Sequence, residues 1–514
     1  MIGRSSRTEQ DIFSTLDHLD RTLARSAPMR LRVVCPSQEF SEREMAHGTA
    51  RWLSGSRGVW ESLRLGAEPD LAIVQIQAPP LGQHVLDFLF RCLPSDRRDV
   101  RERHALVDVD DDRAIHLSEK ILAHRPLTDR IRATTRAARR RGHTVEGLSC
   151  YASSDLMAQM ADELEIPLLD TAPDLLRWGT KSGARQIFRT VDVPCPPGTY
   201  RLIRSATDLA ATLTDLAERL GAAAWFVKID SGFGSGHGNA VVDGRFIDSP
   251  FTATTLGHVL RPCSGKITTD EFLALVERNG CVVERRIEAT TGTELAWPSA
   301  LAYLSRTEHD RDVHVEFLGV HDQVIGAHGE YSSCRYPAGE HYRRDVVGLS
   351  GRVFAHLARL GVTGHVGVDF VALTKSVAGQ DVSLYALEIN LRQTGTTHPH
   401  RTARACLPGT WRSDGTAVGP LGREVHYKAT DDIASSEYVG LPTAELIRAL
   451  DRTPGVAFDP RTGTGTVPHL WTTLTPHGKI GATFFGTSPA SCNEFEARFI
   501  RLLRTLAAEY RDQG

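Results

Sequence analysis

The sequence predicts an α/β protein of several domains, on three observations. A chain of 514 residues exceeds one ordinary domain, and about two to four are expected. Apolar runs of strand length alternate with amphipathic stretches across residues 30–177, the signature of an open α/β sheet. Strands then dominate 200–405, and a last unit of helices and strands follows a Gly/Pro/Ser-rich stretch that starts near 406. The expected division is 1–177, 178–405 and 406–514.

In the first unit, residues 12–25 have the apolar spacing of a short amphipathic helix. Strands are expected at 31–35, 71–77 and 104–109, with helices between them and at 118–123 and 128–140. A strand at 145–151 precedes a helix that begins near 153. A boundary falls near 173–179. Residues 181–190 read as a helix, and the prolines of 193–198 force an extended chain after it. Further helices are expected at 207–220, 268–279 and 344–360. The last unit should hold a helix at 442–451, strands within 466–486 and a final amphipathic helix from 491 to about 510.

Composition excludes several function classes. The hydrophobic share of 41% and charged share of 24% are those of a globular protein rather than a disordered one. The formal net charge of −3 gives no basic surplus for nucleic acid or an anionic membrane. Two charge runs, acidic at 108–112 and basic at 136–141, read as a solvated loop and a solvated helix face. Nine cysteines without a CxxC pair favour reduced thiols over a disulfide framework. The polar first residues carry no secretory h-region, no apolar run reaches membrane-spanning length, and a cytoplasmic location is expected.

Four constellations could carry chemistry. A strand ending around Lys228 runs into a turn containing Gly232, Gly234, Ser235, Gly236, His237, Gly238 and Asn239. Glycines let successive backbone N–H groups converge on an anion, and the lysine adds full charge. The pattern matches neither the dinucleotide fingerprint nor the Walker A spacing, so phosphate binding here implies another fold. Next, two apolar runs carry Asp369 and then Glu388, Asn390 and Arg392. A period of two puts the last three on one strand face. Two carboxylates and an amide oxygen suit Mg²⁺ carrying a nucleotide, and the arginine fork suits an anion. The run 280–288 is an apolar strand entering charged residues, either a hinge offering backbone groups to a purine or an edge strand leaving the core. Last, Lys181 stands at a helix start, where free N–H groups can hold phosphate. His398, His400 and Cys406 are spaced loosely enough to ligate zinc, but no second CxxC or HxxxH supports it, and solvated or structural roles are expected for them. No GxSxG elbow is present.

Taken in order, these pieces resemble the ATP-grasp superfamily. The phrases at 179–198 and 388–399 look like those of the pheganomycin-type peptide ligases, and the resemblance runs from residue 30 to about 510. It implies a pre-ATP-grasp α/β domain over 1–177, an ATP-grasp core over 178–405 with a lid subdomain at about 200–283, and a C-terminal α/β extension packing on the core. It further implies that Lys181 and Lys228 bind the phosphates of ATP and that Gly232 to Asn239 form the lid. Glu284 would take the adenine amino group, with the Arg285 carbonyl and Ile287 amide on the ring edge. Asp369, Glu388 and Asn390 would hold Mg²⁺, with Mn²⁺ as an alternative, and Arg392 would steady the acyl phosphate. Relatives often carry an acidic residue where His237 stands and a Lys-Gly pair where Gln393 and Thr394 stand; these changes bear on the carboxylate substrate.

The expected activity is therefore peptide-bond formation between an amino-acid-like acid and an amine, with ADP and phosphate released; a homodimer is implied by the same resemblance. Two alternatives stay open. A biotin-carboxylase-like activity would want a glutamate just before the His-Pro pair, where this chain has Thr397. A nucleotide-binding regulatory protein without turnover is the other.

Overall fold

Each residue of the strand-like run Leu71–Gln77 is buried, Gln75 and Gln77 included, which is why the run opens on four successive apolar residues: parallel strands are covered on both faces. The computed structural model describes residues 9–39, 57–94, 98–231, 238–247, 251–265, 267–306, 312–326, 331–375, 381–419 and 421–512. In chain order the first unit is α1 (Glu9–Leu23), β1 (Arg30–Cys35), α2 (Trp60–Leu63), β2 (Leu71–Gln77), α3 (Gln83–Arg91), β3 (His104–Asp108), α4 (Leu117–Ala123), α5 (Arg125–Arg140), β4 (Thr144–Cys150) and α6 (Asp155–Leu164). Its strands form one parallel sheet in the order β3-β2-β1-β4. The apolar faces of α1, α5 and α6 close one side, through Leu16, Leu19, Ile131, Met157 and Met160.

The basic run is the solvated helix face its composition implies, with Arg136, Arg139, Arg140 and Arg141 all exposed. Arg136 pairs with the Glu165 carboxylate, and Arg139 donates to the Glu165 carbonyl, so two of its arginines tie α5 to the end of α6.

The middle of the chain holds α7 (Lys181–Thr190), α8 (Ala206–Leu220), β5 (Ala224–Ile229), β6 (Asn239–Asp243), α9 (Ala253–Val259), β7 (Arg261–Pro262), α10 (Thr269–Asn279) and β8 (Cys281–Arg285). Thr268 and Glu271 form a capping box that starts α10. The four strands make an antiparallel sheet, β7-β6-β5-β8, with its own core around Trp225 and Phe272. Then come β9 (Thr293–Ser305), β10 (His314–Ile325), β11 (Tyr331–Tyr336), α11 (Glu340–Arg359), β12 (Gly364–Lys375), β13 (Val382–Asn390) and α12 (Thr397–Cys406).

Helix α11 begins four residues before the predicted 344. The cause is tertiary: Asp322 of β10 accepts hydrogen bonds from the Gly339 N–H and the Tyr342 hydroxyl, a helix start invisible to local spacing.

The remaining elements are the two-residue strands β14 (Thr410–Trp411) and β15 (Ala417–Val418), then β16 (His426–Ala434), α13 (Thr443–Arg452), β17 (Gly465–His469), α14 (Trp471–His477), β18 (Lys479–Gly486) and α15 (Pro489–Asp512). Strands β16, β18 and β17 continue the sheet begun by β9–β13, giving eight strands in the order β13-β12-β9-β10-β11-β16-β18-β17. The sheet thus crosses residue 406. Below it, one hydrophobic cluster joins Leu63, Phe88 and Leu89 of the first unit to Trp471, Phe484, Phe485 and Phe499. No helix of the described residues is long and apolar enough to cross a membrane.

Candidate active site

Strands β12 and β13 run antiparallel, and their register sets Asp369 opposite Glu388 and Gly367 opposite Asn390. Two carboxylates therefore sit at one level of the sheet. Neighbouring amides meet the first: Asn390 Nδ2 donates to Asp369 Oδ2 at 2.9 Å, and Gln323 Nε2 from β10 donates to Asp369 Oδ1 at 2.8 Å. The second is met by an ion pair with Lys181 from the start of α7. Desolvation and then the ammonium of Lys228 lower the Lys181 pKa to about 7; Arg392 pushes the same way, while Glu284 and Asp369 oppose. The structure thus gathers Lys181, Lys228, Glu284, Asp369, Glu388, Asn390 and Arg392 into one electrostatic neighbourhood, although they span more than 200 positions of sequence.

Lys228 lies on β5, one strand from Glu284 on β8. Its Nζ is 2.6 Å from Glu284 Oε2, and Arg185 Nη1 of α7 is 3.2 Å from Glu284 Oε1. Glu284 is 1% exposed. Burial would raise its pKa, but Lys228 and Arg185 hold it below the usual carboxylate range. The glutamate expected to meet an adenine amino group thus has its carboxylate taken up by two cations. Arg185 is fixed in turn, donating to the carbonyls of Thr199 (2.6 Å) and Pro196 (2.9 Å). Beyond Glu284, the Arg285 N–H donates to the Pro197 carbonyl at 2.7 Å and the Arg286 N–H to the Ala224 carbonyl at 2.8 Å. Ile287 follows just outside β8.

The start of α7 corrects one expectation. Its N–H groups are not free for phosphate: the Lys181 N–H donates to the Asp230 carbonyl, the Ser182 N–H to Asp230 Oδ1, and the Gly183 N–H to Thr180 Oγ1. What α7 offers an anion is the Lys181 ammonium. Asp230 follows directly after β5, so it ties the element bearing Lys181 to the strand bearing Lys228. Sequence reasoning missed Asp230, Arg185 and Gln323; only the proximity of Asp230 to Lys228 hinted at any of them.

Of the glycine-rich turn, Gly232, Gly234, Ser235, Gly236 and His237 lie outside the described residues. Gly238 accepts a hydrogen bond from the Ile229 N–H at 2.8 Å, and Asn239 opens β6 opposite Lys228. Past β13, Arg392 makes an isolated bridge with Ala152 of the first unit. Gln393 is buried there: it donates from Nε2 to the Cys150 carbonyl (3.1 Å) and accepts from Trp60 Nε1 (3.0 Å). The residue that departs from the expected Lys-Gly pair thus fastens the end of the Arg392 segment to the first unit.

The family model described as "IQCH-like, ATP-grasp" matches residues 175–252, which contain Lys181 and Lys228. The chain is 27% identical over 434 residues to the L-propargylglycine–L-glutamate ligase of Streptantibioticus cattleyicolor, covering 83% of this chain and 85% of that protein. Among solved structures, biotin carboxylase from Campylobacter jejuni in complex with β,γ-ATP superposes with a TM-score of 0.50 at 11% identity, covering 91% of this chain and 89% of that one. The biotin carboxylase domain of the Hydrogenobacter thermophilus 2-oxoglutarate carboxylase, bound to MgADP and bicarbonate, also gives 0.50 at 11% identity, covering 90% and 87%. At that identity the two structures speak for the fold alone.

Proposed function

We propose that this chain, an ATP-grasp protein, is an ATP-dependent ligase that joins the carboxylate of an amino-acid-like acid to the amine of an amino acid or peptide. The observation that carries the reading is the set Lys181, Lys228, Asp369, Glu388, Asn390 and Arg392 gathered from α7, two sheets and the end of β13. The similarity to a ligase that acts on two amino acids supports the substrate classes.

A carboxylate does not condense usefully with an amine in water, because its oxygen leaves poorly; phosphoryl transfer from ATP makes it a good leaving group. That transfer needs positioning and charge neutralisation more than covalent help. In this reading Lys181 and Lys228 turn from Glu388 and Glu284 toward the phosphates. The residues fit a divalent cation: two carboxylates at one level of the sheet, satisfied by one ammonium and two amides, make a hard oxygen set. Asp369, Glu388 and Asn390 would hold Mg²⁺, which when bound neutralises phosphate charge. Arg392 steadies the oxyanion as the amine attacks. As the acyl–oxygen bond breaks, the proton shed by the amine passes to the departing phosphate, so this reading assigns no general base to the chain.

The test is product release across a matrix of amino acids, amino-acid-like acids and peptides, with mass spectrometry of the products. ADP and phosphate should appear together with a new amide, and only when both an acid and an amine are present. Release of AMP and pyrophosphate would sink the reading, and ATP hydrolysis driven by bicarbonate alone would replace it with a carboxylase.

A further inference from the structure

Away from the nucleotide residues, three segments far apart in sequence bring nitrogen and oxygen donors to one buried point. His398 comes from α12, Asp431 from β16 and His469 from the end of β17. His469 Nε2 is 2.8 Å from Asp431 Oδ1, His398 Nε2 is 3.1 Å from His469 Nε2, and His398 Nε2 is 3.7 Å from Asp431 Oδ1. His400 and Cys406, the neighbours noted with His398 in the sequence, go elsewhere. His400 packs against His321, Tyr336 and Trp411, and Cys406 lies in the hydrophobic cluster.

Hydrogen bonding alone does not satisfy this triangle. If His469 Nε2 carries its proton and donates to Asp431, it cannot also accept from His398. If it accepts from His398, its lone pair faces the carboxylate oxygen at 2.8 Å. Either way one close polar contact is left without a proton of its own between its atoms. A cation answers all three donors at once. The three atoms lie about 1.9 Å from a common centre, so an ion at the zinc distance of about 2.0–2.1 Å stands just out of their plane.

The surroundings agree. His398 is 5% exposed. Asp431 is 8% exposed. Arg57 binds the other oxygen, Oδ2, and leaves Oδ1 directed at the histidines, as an outer partner orients a ligating carboxylate. A cavity of about 20 Å³ adjoins the two histidines, where Arg57, His398, Thr402, His469 and Thr483 stand among mostly apolar side chains. A water needs about 10–15 Å³, so there is room for a fourth ligand.

We propose that His398, Asp431 and His469 form a zinc site that pins α12, which follows the Arg392 segment, to the strands of the C-terminal part of the chain. Two imidazoles and one carboxylate are a borderline donor set that suits zinc over magnesium, so the site is chemically distinct from the nucleotide's metal ligands.

The test uses the full chain, stripped with chelator, reloaded with zinc in the absence of nucleotide, and assayed by metal analysis. One equivalent per chain is expected, kept in Glu388→Gln and lost in His398→Gln and His469→Ala. Zinc X-ray absorption on the unaltered protein reads the ligands even if those variants misfold: a shell of two imidazole nitrogens with oxygens is expected. An all-oxygen or sulfur-containing shell overturns the proposal. So does failure of the unaltered chain to take up zinc, or uptake undiminished in folded histidine variants.

Discussion

Glu284 balances two cations, so its charge should matter to stability as well as to activity. Breaking a buried ion pair from one side costs about 3–5 kcal/mol, because the remaining charge is left in a medium that solvates it poorly. Glu284→Gln should accordingly lower the melting temperature markedly while Lys228 and Arg185 lose their shared partner. A variant that melts like the parent would show that the pair is replaced by water. The lysines and the metal-type ligands have a different signature. Lys228→Ala and Glu388→Ala should each reduce turnover by about a hundredfold or more, as removal of a group that stabilises transition-state charge does. Near-normal turnover in either would remove that residue from the mechanism.

At the scale of elements, the site depends on how α7, β5 and β8 hold one another. The extended run before α8 lies against β8 so closely that a Cβ on Gly198 would meet the Val283 carbonyl at 2.0 Å. Gly198→Ala should therefore push this run off β8, disturb the carbonyls that hold Arg185, and raise KM for ATP more than it changes kcat. An unchanged KM would show that the hinge tolerates the shift. The strands were legible because their environment leaves a periodic or continuous apolar trace: β2 is buried on both faces, and β13 alternates up to Glu388 and Asn390. Lys181, Lys228 and the Glu388–Arg392 phrase were legible because their types and order carry chemistry. What the sequence hid are contacts made only by the tertiary fold. Asp230 caps a helix 48 residues earlier, Glu284 turns inward to Arg185, Asp322 starts α11, and His398 meets His469 across 71 positions. None leaves a local period, because each partner is supplied by a different element.

For the whole molecule, the joins between units decide how it unfolds. The first unit carries a half-buried network in which Arg30, Arg32 and Arg64 face Glu61, Glu68 and Glu146. Against the opposing effect of burial, Arg64 and Arg30 lower the Glu68 pKa to about 2. A carboxylate depressed in the folded state adds stability that is complete above its unfolded value of about 4.3 and disappears as pH falls through the folded one. The melting temperature should fall between about pH 4.5 and 2, and Glu68→Gln should flatten that slope; an equal slope in the variant would assign the loss to other groups. The joins also make the last hundred residues inseparable from the rest. Strand β11 pairs with β16 through Ser333–Tyr336, so removing residues 406–514 would bare a sheet edge ready to pair with another chain. It would also strip Trp471, Phe484, Phe485 and Phe499 from the cluster they share with Leu63, Phe88 and Leu89. Expressed alone, residues 1–405 should therefore aggregate or bind a hydrophobic dye, and the full chain should lose its first unit and its C-terminal strands in one transition, read by a probe in each. A soluble, monomeric 1–405 with the parent's melting temperature would mean that the shared cluster contributes little and that the units fold independently.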